Sequence, residues 1–149
     1  MGESSGGADL AEKDGTNRQI VADVYDAWGR GDADASTALF HPEMEWRPAE
    51  GHPYSPEGTP WVGLADLTEN FFSRVGRDWE RFTTRPIRLH EAGDVVVVEG
   101  RYSGVFTPNG RDYDAQFCHV WTLNDGRIIS LRQYADTAEM QRVMGRDAR

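Results

Sequence analysis

The residue best suited to chemistry in this 149-residue chain is His119, within "QFCHVW" at 116–121. Alternate residues of a strand point to opposite faces, so Phe117, His119 and Trp121 share one face and Gln116, Cys118 and Val120 the other. An imidazole titrates near neutrality and gives or takes a proton under mild conditions. Burial disfavours its charged form, leaving a neutral ring that acts as a base or donates to a developing enolate. The alternative is a core histidine satisfied by Tyr102, Gln133 or water. Tyr102 either donates to an oxyanion or lines the wall; Gln133 either orients a water or His119, or makes a structural bond. Glu50, His52 and Tyr54 fall together on a loop. Glu50 and His52 form an acid/base couple there, or are solvated. Trp28, Trp46, Trp61, Trp121, Phe71, Phe72 and Phe117 line a pocket for a planar or polycyclic apolar ligand, or fill an ordinary core.

Other chemistries have no signal. His41, His52, His90 and His119 lack ligand spacing, and the one cysteine excludes a cysteine zinc site and an internal disulfide. In a regular strand Cys118 points away from His119, which rules out a Cys–His dyad. No metal or other cofactor is called for. "PNG" at 108–110 is a turn, and no glycine-rich nucleotide loop is present. A net charge of −9 argues against nucleic acid and anionic membrane as partners. No apolar run has the length of a membrane span, no secretory signal is read, and a cytoplasmic location is expected.

These side chains need a frame. Residues 1–15 are rich in Gly, Ser and charge and are expected to be a mobile tail. Residues 16–145 make a single domain. Thr16 or Asn17 caps a helix carrying Ile20, Val21, Val24, Tyr25 and Trp28 on one stripe. Asp32 or Asp34 starts a second helix that carries Ala35, Ala38, Leu39 and Phe40 and closes at Pro42. A short strand follows at 44–48. Residues 49–62, with three prolines and two glycines, form a long loop. Leu64, Leu67, Phe71 and Val75 mark a third helix. After Asp78 the period changes from helical to two. Strands are predicted at 79–91, 94–107, 112–123 and 127–135, with a bend or bulge at Pro86. Asp136 or Thr137 caps a last helix ending near Met144.

Helices segregated from an antiparallel meander give an α+β domain: a curved sheet forming a cone around the N-terminal helices, with a pocket at its wide end. Val96, Val98, Gly100, Tyr102, Gly104 and Phe106 form an uncharged inner face, as do Ala115, Phe117, His119, Trp121 and Leu123. In the last strand a two-residue Asp125-Gly126 turn puts the even residues inside. A three-residue loop, Asn124-Asp125-Gly126, puts Ile129, Leu131, Gln133 and Ala135 there. The odd set is more apolar and buries no arginine, so it is the one expected inside. The outer face, with Cys118, Val120 and Tyr134, suggests a homodimer interface.

"YDAWGRGDADASTALFHPEMEW", "WVGLADLTENFF" and "FCHVWTLNDGRIISLRQYADT" resemble the SnoaL-like, ketosteroid-isomerase-related proteins of the nuclear transport factor 2-like superfamily. The resemblance implies the cystatin-like α+β barrel, or cone. Fold alone does not name a reaction. The ketosteroid isomerase base falls at Pro48, its oxyanion tyrosine at Val24, with Tyr25 one place off, and its neutral acid at His119, so two of three positions are lost. Limonene epoxide hydrolase positions fall at Gly100, Tyr102, Gln133, Trp46 and Pro48, none retained. No counterpart of the SnoaL acid/base aspartate falls on the inner face.

The function expected is therefore a cofactor-independent acid/base enzyme. It acts on a small, mostly apolar, polyketide- or terpenoid-like molecule by isomerase, cyclase or hydrolase chemistry. His119, Tyr102 and Gln133 are its catalytic candidates. Trp28, Trp46, Glu50, His52, Tyr54, Trp61, Phe71, Phe117 and Trp121 are its ligand-binding candidates. The alternatives are a non-catalytic ligand-binding or dimerisation module, and a protein partner in a biosynthetic assembly.

Overall fold

A computed structural model of the protein describes residues 6–148, with side chains from Thr16 onward. Met1–Ser5 of the expected tail lie outside the described residues. Helix α1 spans Gly6–Gly29, so Thr16 and Asn17 lie within it rather than at its start. "ADLAEK" consists mainly of good helix formers. Asp32 caps the short helix α2 (Ala33–Thr37), its carboxylate accepting from the Ala35 N–H. The expected continuation of this helix to Phe40 is not seen. Phe40 opens strand β1 (Phe40–Arg47), which makes room for Pro42 with a register shift against β6.

The loop contains a two-residue strand, β2 (Trp61–Val62), which pairs antiparallel with Glu45 and Trp46. Helix α3 (Leu64–Leu67), a π-helical turn (Thr68–Phe72) and helix α4 (Ser73–Asp78) follow without a break. Then come the long strands β3 (Trp79–Ala92), β4 (Val95–Phe106), β5 (Arg111–Asn124) and β6 (Arg127–Ala135), and helix α5 (Thr137–Met144), capped by Asp136. Register shifts beside Arg81 and Ile87 bend β3, the second next to Pro86 as expected.

The six strands run in the order β2-β1-β6-β5-β4-β3. The meander β3–β6 is antiparallel, but β1 lies parallel to β6, so the sheet is mixed rather than all antiparallel. It is curved and open, with β2 and β3 as its edges, and is not a closed barrel. The α+β cone around the helices holds.

The inner faces of β4 and β5 match the parity set by the sequence: Val96, Val98, Tyr102, Phe106, Phe117, His119, Trp121 and Leu123 are all buried. In β6, Leu131 and Gln133 are inside and Arg132 and Tyr134 outside, again as expected. The cause differs. Asn124 pairs with Arg127, so the turn is the two-residue Asp125-Gly126, with φ of 50° and 76° as a primed hairpin turn requires. Ile128 therefore starts inside. Leu123 pairs with Ile128 and Thr122 with Ser130, leaving Ile129 as an extra residue. This bulge, not a three-residue loop, switches the parity.

Gly100 is set by packing. A Cβ there would collide with the Phe117 ring and the Arg85 carbonyl, so only glycine lets Phe117 lie flat across β4. Among the described residues, no helix is long and apolar enough to cross a membrane.

Candidate functional site

The curved sheet, α1, the π-helical turn and α5 enclose a cavity of about 150 Å³. A benzene-sized body fits a space of that order. Its walls are mostly aromatic, the exceptions being Val75, Thr84, Gln133 and, from α5, Met140 and Met144. The π-helical turn puts Phe71 and Phe72, adjacent in sequence, both on the wall.

Tyr25, His119, Tyr102, Gln133 and Trp121 form one connected polar network. The two nitrogens of His119 are both bonded to tyrosine hydroxyls: Nδ1 to Tyr25 at 2.7 Å and Nε2 to Tyr102 at 2.5 Å. Tyr25 also accepts from Trp121 Nε1 at 2.9 Å, and Tyr102 accepts from Gln133 Nε2 at 2.8 Å. The amide of Gln133 is oriented by its other end, where Oε1 accepts from the Ala49 N–H at 3.0 Å. Phe117 stacks on the imidazole at 4.0 Å. Burial holds His119 neutral, its pKa lowered to about 3, and pushes both tyrosine hydroxyls well above their usual value.

Counting protons in this network gives a definite result. A neutral imidazole carries one N–H, and the two tyrosines carry one O–H each. The two bonds at His119 use two of those three protons, because one nitrogen donates and the other accepts. One hydroxyl proton is left over. With the imidazole proton on Nε2 it belongs to Tyr102; with the proton on Nδ1 it belongs to Tyr25. Tyr102 lines the cavity and Tyr25 does not.

The loop contributes His52 and Tyr54 to the cavity wall. His52 is buried on the cavity wall, and its Nδ1 accepts from the Tyr54 N–H at 3.1 Å, which puts the ring proton on Nε2. Burial, helped by the charge of Arg74, lowers its pKa to about 4. Tyr54 donates to Asp78 Oδ2 at 2.5 Å and carries the Arg74 guanidinium 4.0 Å above its ring. Arg77 binds the same carboxylate and keeps it below the usual range. The loop is thereby tied to the end of α4.

Of the residues named from the sequence, His119, Tyr102, Gln133, Trp28, Trp46, His52, Tyr54 and Phe71 line the cavity. Trp61, Phe117 and Trp121 are buried behind its wall, Trp61 stacked on Phe71 at 4.5 Å. Glu50 is exposed and off the wall, so Glu50 and His52 are not brought together as a couple over the cavity. Trp79, Phe82, Thr84, Met140 and Met144 also line the cavity without having been named for it, and two polar side chains of the site were not assigned there either. Tyr113 lies on the inner parity of β5, one step beyond the set read from the sequence. Tyr25 sat on the apolar stripe of α1, and nothing local indicates a partner 94 residues away.

A model of the SnoaL-like domain matches residues 21–131, which include Tyr25, Tyr102 and His119. The chain belongs to the SnoaL-like domain family. Its fold is that of the nuclear transport factor 2-like proteins. This SnoaL-like domain is 34% identical to such a protein from Burkholderia thailandensis E264, with a TM-score of 0.80 over 86% of this chain and 96% of that one. It is 25% identical to TerC, co-crystallised with polyporic acid, with a TM-score of 0.77 over 87% and 98% of the two chains. A putative SnoaL-like polyketide cyclase from Jannaschia sp. CCS1 shares the fold at 21% identity, with a TM-score of 0.75 over 89% and 94%. No protein with a curated description matches.

Proposed function

We propose that this domain binds a small, mostly apolar carbonyl compound in the cone and polarises its carbonyl through the Tyr102 hydroxyl. The observation that carries this reading is the spare proton. A ligand oxygen in the cavity selects the Nε2–H form of His119. Tyr102 then accepts from His119 and Gln133 and donates its own O–H to the ligand. A donor fixed in this way meets charge as it develops on the carbonyl oxygen without reorganising. His119 acts through Tyr102 and is a positioning residue. Gln133 is another, and the aromatic walls hold the substrate.

Among the described residues, no Asp, Glu, Lys or Arg lines the cavity, and its two imidazoles are weak bases. Such a site suits a substrate whose own C–H is acidic, such as a methylene flanked by two carbonyls. For that substrate, with Tyr102 polarising the carbonyl, solvent water or hydroxide takes the C–H proton and no strong protein base is needed, as in aldol-type cyclisation of a polyketide-like chain. Hydrolysis, which needs an activated water, fits less well. TerC, crystallised with a small molecule, supports a ligand-binding role. The same lack of an ionised group favours a second reading, a binding protein without turnover.

Acetylacetone separates the two. Its methylene H/D exchange in D2O, followed by proton NMR, should be accelerated by the wild-type protein. Tyr102→Phe should slow that exchange by about 10²–10³, the usual loss for a removed oxyanion donor. A lowered carbonyl stretch of the bound probe without faster exchange would leave the binding reading. Neither effect would sink both. The expected homodimer is proposed on the outer sheet face, where Ile87 and Tyr134 are 55% and 50% exposed. Sedimentation of wild type and Tyr134→Lys tests it: a dimer that dissociates supports this face, and a monomeric wild type rejects it.

A further inference from the structure

The cavity wall is not equally thick all round. Trp28, Phe72, Val75, Phe82 and Thr84 are half-buried, and every other residue of the wall is buried. A side chain that lines the cavity and is also reached by solvent is a wall one residue thick. Elsewhere a second layer stands behind the first, as Trp61 does behind Phe71 at 4.5 Å and Phe117 behind His119 at 4.0 Å. The loop side is shut, with His52 and Tyr54 only 5% and 7% exposed. The thin part lies on one side of the fold. Trp28, near the end of α1, meets Phe72 of the π-helical turn edge-on at 6.4 Å, and α4, which carries Val75, runs directly into β3, which carries Phe82 and Thr84.

Both flanks of this thin wall are built on irregular backbone. Phe72 belongs to the π-helical turn, an element found mostly at functional sites. Phe82 sits in the first bulge of β3, directly after Arg81, which is held in the left-handed region at φ of 51°. A non-glycine residue is seldom kept there without a function to serve. Gly104 leaves the room this needs, since a Cβ on it would stand 3.1 Å from the Phe82 backbone and 3.3 Å from its ring. β3 is an edge of the sheet, paired with β4 alone, so the bulge is free of a second strand.

We infer that small molecules enter and leave the cavity between α4 and β3, and that Phe82 is the gate, the side chain that must move for one to pass. This goes beyond the proposed chemistry and does not depend on it. The two join at one point: water arriving by this route comes in beside Tyr102, the cross-strand partner of Thr84 and the ring neighbour of Phe82 at 5.5 Å.

The test is fluorine exchange NMR of fluorobenzene, a ring-sized probe with no carbonyl. A wall contact acts mainly on koff, whereas a gate acts on kon and koff together. Phe82→Ala should raise both by about tenfold or more, and Thr84→Phe, which adds bulk at the same opening, should lower both by about tenfold. Thr84 is half-buried on an edge strand, where an aromatic residue is well tolerated, so this variant decides the matter should Phe82→Ala not fold. Pro53→Gly combined with Pro56→Gly, which loosens the loop, should leave both rates within about twofold. A kon unmoved by the Phe82 and Thr84 substitutions, or one raised by the loop variant, would overturn the inference. So would failure of fluorobenzene to bind, a result that leaves the carbonyl-binding role to its own exchange assay.

Discussion

Lowering the pH from about 7.5 to 5 should remove about 4 kcal/mol from the stability of the folded protein, and two buried imidazoles account for it. His52 and His119 titrate in the fold at about 4 and about 3, against 6.5 when unfolded. Because the folded values are the lower ones, the unfolded chain takes up protons first as acid is added. Stability is complete above 6.5 and is lost as the pH falls towards 4 and 3. At pH 5 each ring lies about 1.5 units below its unfolded value, which at about 1.36 kcal/mol per unit is about 2 kcal/mol per ring. For a chain of this size that total corresponds to a fall of about 8–16 °C in Tm. The carboxylates held low by arginine or histidine partners, Asp78, Glu99 and Glu139, lose their contribution only at lower pH and do not enter this window. Scanning calorimetry at both pH values measures the fall directly. His52→Gln removes one titration and should halve the difference between the two pH values, whatever it does to absolute stability. A Tm unchanged between pH 7.5 and 5, or an imidazole of His52 or His119 seen by NMR to protonate near pH 6, would refute the reasoning.

Other perturbations follow from single contacts. Gly100→Ala drives a methyl into Phe117 and the Arg85 carbonyl and should cost about 3 kcal/mol, the upper range for overpacking, by denaturant melting. Tyr25→Phe leaves Trp121 Nε1 and His119 Nδ1 unpaired and should cost about 1–3 kcal/mol for each, again by denaturant melting. Gly126→Ala strains the turn at φ of 76° and should cost about 1–2 kcal/mol without altering the fold seen by circular dichroism. Tyr54→Phe cuts the tie to Asp78, so limited proteolysis within residues 49–62 should speed up while the rest of the chain stays resistant.

The meander could be read from the sequence because its information is local. The change to period two after Asp78, the turn residues and the uncharged parity of β4 and β5 each act within a few residues. That parity alone placed Tyr102 and His119 inside, and carried one step further it places Tyr113 there too. What escaped was nonlocal. The parallel pairing of β1 with β6 joins Trp46 to Leu131 and has no turn to announce it. β2 is two residues long and exists only because Trp46 stands beside Trp61. The facing of β6 was correct for the wrong reason: the turn is shorter than expected, and the bulge at Ile129 restores the apolar side. The partner of His119 on α1 escaped for the same reason as the β1 pairing. Tyr25 differs in no local feature from the core residues around it on the stripe.

The central claim is that Tyr102 holds the free proton of the network whenever the cavity holds a carbonyl. Long-range proton–nitrogen NMR of the His119 ring, recorded with and without saturating cyclohexanone, tests it most directly. The predicted result is a neutral ring whose proton sits on Nε2 in the bound protein. A proton on Nδ1 with cyclohexanone bound would place the spare hydroxyl proton on Tyr25, away from the cavity, and contradict the account.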